Sequence, residues 1–239
     1  ALSSDIIWMV EREVDGETVL VPELYLTSLT RKNISARGGA IVASDININA
    51  INVALNNGRI DGKNSVVLNT TASILNRGGK ISSEGDVTLA SLEDINIQSG
   101  VVEGKNISLK AARNINVETV NTNIMEGINN DDLLNQQALI DAEIDIEVAS
   151  GNDLTLKGAS LKSGGKTTLG SGGDTTIETA QTKDSHNADF GNGYDRRSEV
   201  SNLCSNVSAR GDLVLASQQD LTLTGSSLSS DNNVSLDLK

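Results

Sequence analysis

The chain has 239 residues with 19 basic and 32 acidic side chains, a net charge of −13, 2% aromatic residues, one proline and one cysteine. That balance argues against nucleic acid or an anionic membrane surface as partners, because phosphate binding needs a basic footprint. Cys204 has no second cysteine to bridge, residues 1–20 lack the basic start and apolar stretch of a secretory signal, and no run approaches the ~18 apolar residues of a membrane helix.

Residues 1–32 stand outside any repeat. The runs Ile6 to Val10 and Val19 to Leu26 read as two strands joined at Asp15-Gly16, a hairpin signal, and Pro22 belongs on an edge strand or bulge. Trp8 is expected to cover the open end of the repeat region that begins at residue 33.

From residue 33 a phrase recurs: Asp or Asn, then an apolar, a polar and an apolar residue. It reads Asp86-Val87-Thr88-Leu89, Asp94-Ile95-Asn96-Ile97, Asn106-Ile107-Ser108-Leu109 and Asn114-Ile115-Asn116-Val117, and resumes at Asp145, Asp153, Asp174, Asp212, Asp220 and Asn233, with Lys166 once replacing the acid. Spacings of 8 and of 12 to 13 alternate, so the period is 20 or 21 residues, the mark of a solenoid. The two apolar residues of a phrase point to one side of an extended chain, so each phrase is a short strand with one dry face. A third element, a Gly or small residue followed by an apolar one, lies between phrases, as at Gly39 to Ile41, Gly58 to Ile60, Gly79 to Ile81, Gly100 to Val102, Gly158 to Leu161 and Gly225 to Leu228.

Three short strands per coil give an all-β, right-handed parallel β-helix over 33–239, the hand following from the crossover rule. One interior wall is expected to hold Ile46, Ile48, Val66, Leu68, Val87, Leu89, Ile107, Leu109, Ile146, Val148, Leu213 and Leu215. The next holds Ile95, Ile97, Ile115, Val117, Leu154, Leu156, Leu221 and Leu223. Roughly nine coils at ~4.8 Å make a rod of about 40 Å. The Asp or Asn opening each phrase reads as turn chemistry, accepting a backbone N–H at the corner, and Asn also stacks without repulsion. With no capping sequence at the coil edges, the chain is expected to be a piece of something longer.

Two insertions break the period, near 119–138 and 178–206, with excesses of about 18 and about 25 residues against an ordinary coil. The first reads as a decayed coil or, preferably, a loop with a short helix capped by Asn130-Asp131 and packed through Leu133, Leu134, Ala138 and Leu139. The second reads as a hairpin, Gln181 to His186 returning through Gly191-Asn192-Gly193 to Tyr194 to Leu203, or as a flexible loop. Both interrupt the link from second to third strand, so both should emerge on one side of the rod, where a binding surface would grow. The candidate partner-binding residues there are His186, Phe190, Tyr194, Arg196 and Arg197.

Enzyme chemistry finds no support in these residues. Carbohydrate-active β-helices need paired carboxylates and aromatic sugar platforms, and the regular coils carry no aromatic residue. Asp131-Asp132 reads as a solvated pair, Gly170 to Asp174 is a single copy of a calcium-like phrase, and His186 with Cys204 falls short of a zinc set, so no metal or cofactor is expected.

Phrases such as Gly85-Asp86-Val87-Thr88-Leu89-Ala90-Ser91 and Gly211-Asp212-Leu213-Val214-Leu215-Ala216-Ser217 resemble the haemagglutinin repeats of filamentous haemagglutinin-like exoproteins. The opening Ser4-Asp5-Ile6-Ile7-Trp8 with Val19-Leu20-Val21-Pro22 is similar to the segment preceding repeats in that family, which includes contact-dependent growth-inhibition effectors. The resemblance implies a stalk segment of a large secreted protein on a Gram-negative cell surface, exported by two-partner secretion through an outer-membrane β-barrel transporter. It implies adhesion or toxin delivery, with a cell-surface receptor or glycan as partner. The rival expectations are a carbohydrate-binding or polysaccharide-cleaving β-helix, and a receptor-binding surface formed by the insertions.

Overall fold

The computed structural model describes residues 6–14, 17–25, 33–126, 129–189 and 194–239. All regular elements among them are strands. The phrases that open with Asp94, Asn114, Asp153, Asp174 and Asp220 stack in parallel in an 8-stranded sheet from Asn33–Arg37 to Leu221–Thr224, the second wall of a parallel β-helix. The first and third walls belong to one 14-stranded sheet, because the long strands Ala40–Ala50 and Arg59–Thr70 run round the corner between them.

Register follows the period. Ile95 pairs with Ile74 and Ile115, and Val87 with Val66 and Ile107, so equal positions of successive coils lie directly above one another. Stacking like on like produces the aliphatic ladders: Leu68, Leu89, Leu109, Val148, Leu169 and Leu215 form one continuous buried column of the first wall. The third wall adds Ile60, Ile81, Val102, Ile140, Leu161 and Val207. Residues of similar volume at the inter-strand spacing fill such a column without voids. Leu221 and Leu223 depart from expectation: they belong to the last coil, with no further coil stacked on it here, so Leu221 is half-buried and Leu223 is 47% exposed.

The interior is less purely aliphatic than the phrases suggest. Where the first wall turns into the second, Thr70, Ser91, Ser150, Ser171 and Ser217 are buried hydroxyls of one column, interrupted by Ala111 between Ser91 and Ser150. These hydroxyls add a second donor to corner carbonyls that already accept a backbone N–H from the next coil: Ser91 Oγ donates to Ala72 O beside Glu93 N–H, and Ser217 Oγ to Gly173 O at 3.0 Å beside Gln219 N–H. Thr167 and Thr175, inside the ladders proper, pair with Ser163 and Ser171 at 2.7 and 2.8 Å. Buried hydroxyls with partners avoid the desolvation penalty of unpaired ones.

The phrase-opening acids act between coils. Asp153 Oδ1 accepts the N–H of Asp174, Asp174 Oδ1 that of Asp220, and Asp94 Oδ1 that of Asn114, each at 3.0 Å. The accepted N–H thus belongs to the same corner one coil on. The Asn residues that open phrases donate to the opening Asp of the coil before, Asn106 Nδ2 to Asp86 Oδ1 at 2.8 Å and Asn233 Nδ2 to Asp212 Oδ1 at 3.0 Å, while amide-to-amide ladders form at other positions, Asn69 with Asn49 and Asn116 with Asn96.

At the N-terminal side, Ile6–Val14 and Glu17–Tyr25 form an antiparallel pair in which Met9 opposes Pro22. Both strands are edges, the setting that tolerates proline. Asp15-Gly16 and the Trp8 side chain lie outside the described residues.

Candidate partner-binding surface

Each plain coil turns from second to third wall through one residue with positive φ. These are Gly38, Asn57, Gly78, Ser99, Gly158 and Gly225, with φ between 49° and 62°. In the two coils that carry insertions the stacked register puts Thr119 and Thr179 at that position. A β-branched residue resists the left-handed conformation, so the corner does not close and the chain leaves the rod.

It leaves as hairpins. Asn121–Glu126 pairs antiparallel with Asn129–Leu134, and Ala180–Asp189 with Tyr194–Leu203. The short helix expected over Asn130 to Leu139 does not form, nor does a decayed coil. Leu133 is exposed in a strand, and Ala138 is buried at the rod corner where a plain coil has Ala159. The apolar pairs at Leu133-Leu134 and Ala138-Leu139 mimic a helical stripe, but the first pair belongs to the hairpin and the second to the returning coil. For the second insertion the hairpin alternative is the structure, while Gly191-Asn192-Gly193 lies outside the described residues.

The two hairpins join. Asn129 and Asn130 pair antiparallel with His186 and Ser185, making one 4-stranded sheet from two insertions. The coil between them, through Leu154–Lys157 and Ser160–Ser163, stays plain, so the hairpin roots stand two coils apart, roughly 9.6 Å at ~4.8 Å per coil. Strands that far apart cannot share a ladder, and near the rod side chains span the gap. Asp132 N–H donates to Asp184 Oδ1 at 2.9 Å, Lys183 N–H to Asp132 Oδ2 at 3.2 Å, and Asn121 Nδ2 to Gln181 O at 2.6 Å. Beneath them Thr119 Oγ1 donates to Gly158 O at 2.6 Å and accepts from Ala138 N–H, while Ser205 Oγ accepts from Ala159 N–H and donates to Glu178 O at 2.7 Å. The plain coil is held from both sides, and a Cβ on Gly158 would lie 2.5 Å from Ala180 Cβ.

Of the candidate residues, the backbone of His186 pairs with both Asn129 and Arg197, that of Arg196 with Asn187, and that of Tyr194 with Asp189. Arg197 is exposed. Phe190 lies outside the described residues, as do the side chains of His186, Tyr194 and Arg196. The signal for hairpin roots was available in the sequence, since Glu118-Thr119 and Glu178-Thr179 stand where other coils carry Gly, Asn or Ser.

Elsewhere, a shallow groove at the corner between first and second walls is lined by Asn49, Ile51, Asn69, Leu92 and Lys110, without an aromatic side chain. Among the described residues no group of three or more His, Cys, Asp or Glu could hold a metal ion, and no helix is long and apolar enough to cross a membrane.

Residues 27–127 match the Hemagglutinin repeat family. The chain is similar to Filamentous hemagglutinin of Bordetella pertussis, 31% identical over 178 residues, 70% of this chain and 5% of that protein. It is also similar to Toxin CdiA of Escherichia coli, 29% identical over 46% of this chain and 4% of that protein. A third relative is Deoxyribonuclease CdiA of Dickeya dadantii, 27% identical over 95% of this chain and 7% of that protein. No solved structure matches. The chain thus spans only 4% to 7% of these relatives. By its repeat phrases, its parallel β-helix and these matches, it is a hemagglutinin-repeat stalk segment of the filamentous hemagglutinin-like proteins.

Proposed function

We propose that this stalk belongs to an exoprotein displayed on a bacterial surface, exported through an outer-membrane β-barrel partner, and that it serves adhesion or the presentation of a toxin to a neighbouring cell. In this reading residues 1–32 cover one end of the rod, residues 33–239 supply length and stiffness, and the insertion sheet is the point of contact. His186, Phe190, Tyr194, Arg196 and Arg197 contribute to that contact surface. One observation carries the assignment: two insertions from non-adjacent coils are spliced into a single sheet while the coil between them remains plain. A spacer needs no such construction, and loops grown on a rigid scaffold are where recognition concentrates. The stalk itself is non-catalytic in this reading, and the groove beside Ile51 and Leu92 lacks the aromatic platform a glycan site would use.

The test removes the second hairpin without opening the rod. Deleting residues 180–204 and placing Gly at Thr179 joins position 179 to Ser205, which occupies the place of Ala159 in a plain coil. Saturable binding of the intact fragment to epithelial or bacterial cells is expected to disappear in this variant, with sheet content and melting retained. Equal binding by both folded proteins would reduce the sheet to an ornament of a spacer.

A further inference from the structure

We infer that the outer edge of the insertion sheet, the strand Tyr194–Leu203, pairs antiparallel with the same strand of a second copy of this chain. The inference takes the sheet as the contact surface proposed above and names one partner for its edge. Tyr194–Leu203 ends the order of the 4-stranded sheet and pairs on one side only among the described residues. It presents ten residues of backbone, whereas the opposite edge, Asn121–Glu126, has six. An unpaired edge templates further strands unless it is blunted by charged side chains, Lys above all, by Pro or by a bulge. This strand contains neither Lys nor Pro and its register with Ala180–Asp189 is unbroken; its four charges, Asp195, Arg196, Arg197 and Glu199, are two of each sign, so they discourage a strand of one sign but can be met by an antiparallel copy of the same strand.

Charge complementarity selects the second copy. The chain as a whole carries −13, yet within this strand Asp195 and Glu199 offset Arg196 and Arg197, so two such edges meet without local net repulsion. With Ser198 opposite its own copy, Arg197 of each strand faces Glu199 of the other, and both side chains are exposed. The same register sets Arg196 against Val200 and Asp195 against Ser201, leaving no like charges opposed. Moving the centre by one residue sets Arg197 against Arg197 or Glu199 against Glu199, which cross-strand pairing disfavours. The two-fold arrangement is self-complementary and closed. Because the paired strands run in opposite directions, each copy's hairpin root lies at the other's tip, which suits rods approaching from opposite sides.

Sedimentation velocity of the 239-residue fragment tests this. An interface of one strand edge is small, so dimer is expected at concentrations on the order of 100 µM rather than nanomolar. Arg197→Glu and Glu199→Arg should each abolish it and the double variant should restore it, with unchanged circular dichroism melts throughout. The competing contact is the last coil, where Leu223, Val234, Leu236 and Leu238 are exposed. Association that resists both charge reversals and vanishes in Leu236→Asp overturns the inference. A fragment that stays monomeric while still binding cells through the sheet also overturns it and leaves the proposed function standing.

Discussion

At the residue scale, Asn76 breaks a ladder. It is stacked in register between Leu55 and Ile97 and is fully buried. Its Nδ2 donates to Val101 O at 3.2 Å, but its Oδ1 has no partner. A buried acceptor without a donor costs about 1–3 kcal/mol, whereas an apolar side chain of the same branching would add to the column above and below it. Asn76→Leu is therefore expected to raise the melting temperature, stabilising the rod by about 1 kcal/mol after allowance for crowding. The crowding comes from the adjacent corner, where the Asn76 side chain lies against the backbone of Gly79 and Gly100. A lower melting temperature in Asn76→Leu would show that this corner, and not the orphaned oxygen, decides the stability of the site. The hydroxyls at Ser171 and Ser217 differ from Asn76 in having partners, and the corner carbonyls they reach, Gly173 O and Asp220 O, also accept backbone N–H groups.

At the element scale, the insertion sheet is held near the rod by side chains rather than by a strand ladder. Asp132 is the centre of that bridge: its carboxylate accepts from Lys183 N–H and from Asn123 Nδ2 at 2.7 Å, and its own N–H reaches Asp184. Asp132→Ala should leave rod amides protected while exchange at Lys183 and its neighbours accelerates about tenfold, the equivalent of ~1.4 kcal/mol for a charge-assisted bond. Unchanged exchange there would mean that the paired residues Asn129 and Asn130 hold the hairpins together alone. The contrast between rod and sheet also separates what was legible in the sequence from what was not. The rod could be read because each coil repeats the same local rule, so Val87, Ile107 and Ile146 announce their own stacking. The insertions have no period. Their location and excess length followed from the resumption of the phrase at Ile140 and Val207, whose partners are Val102 and Leu161. Their union did not, because pairing Asn130 with Ser185 depends on geometry set by the plain coil between them, and the strand residues Asn129 to Asp132 have poor strand propensity. Cooperation between coils was likewise visible only in three dimensions: Asp153 looks like a local turn residue until its acceptor is seen to serve the next coil.

At the scale of the whole molecule, the rod behaves as a one-dimensional stack in which a coil is stabilised by its two neighbours. The first-wall column of Leu68, Leu89, Leu109, Val148, Leu169, Leu215 and Leu236 offers the same side-chain position along that stack. Leu109 is fully buried with coils on both sides, whereas Leu236 in the last coil is 50% exposed. A carboxylate placed at an interior position has no counter-charge and no water, and removing a buried Leu side chain alone costs ~2–5 kcal/mol. Leu109→Asp is expected to unfold several coils together and to lower stability by at least that amount, because each coil it disrupts uncovers the next. Leu236→Asp should cost no more than about 1 kcal/mol, since half of that side chain already meets solvent. Urea unfolding followed by circular dichroism distinguishes the two: a large shift in midpoint for Leu109→Asp, with a small one for Leu236→Asp, is the signature of neighbour-stabilised coils. Equal shifts would mean that the last coil is covered in solution, either by the edge of another molecule or by a rearrangement of its own strands, and the stack would then be closed where this structure leaves it open.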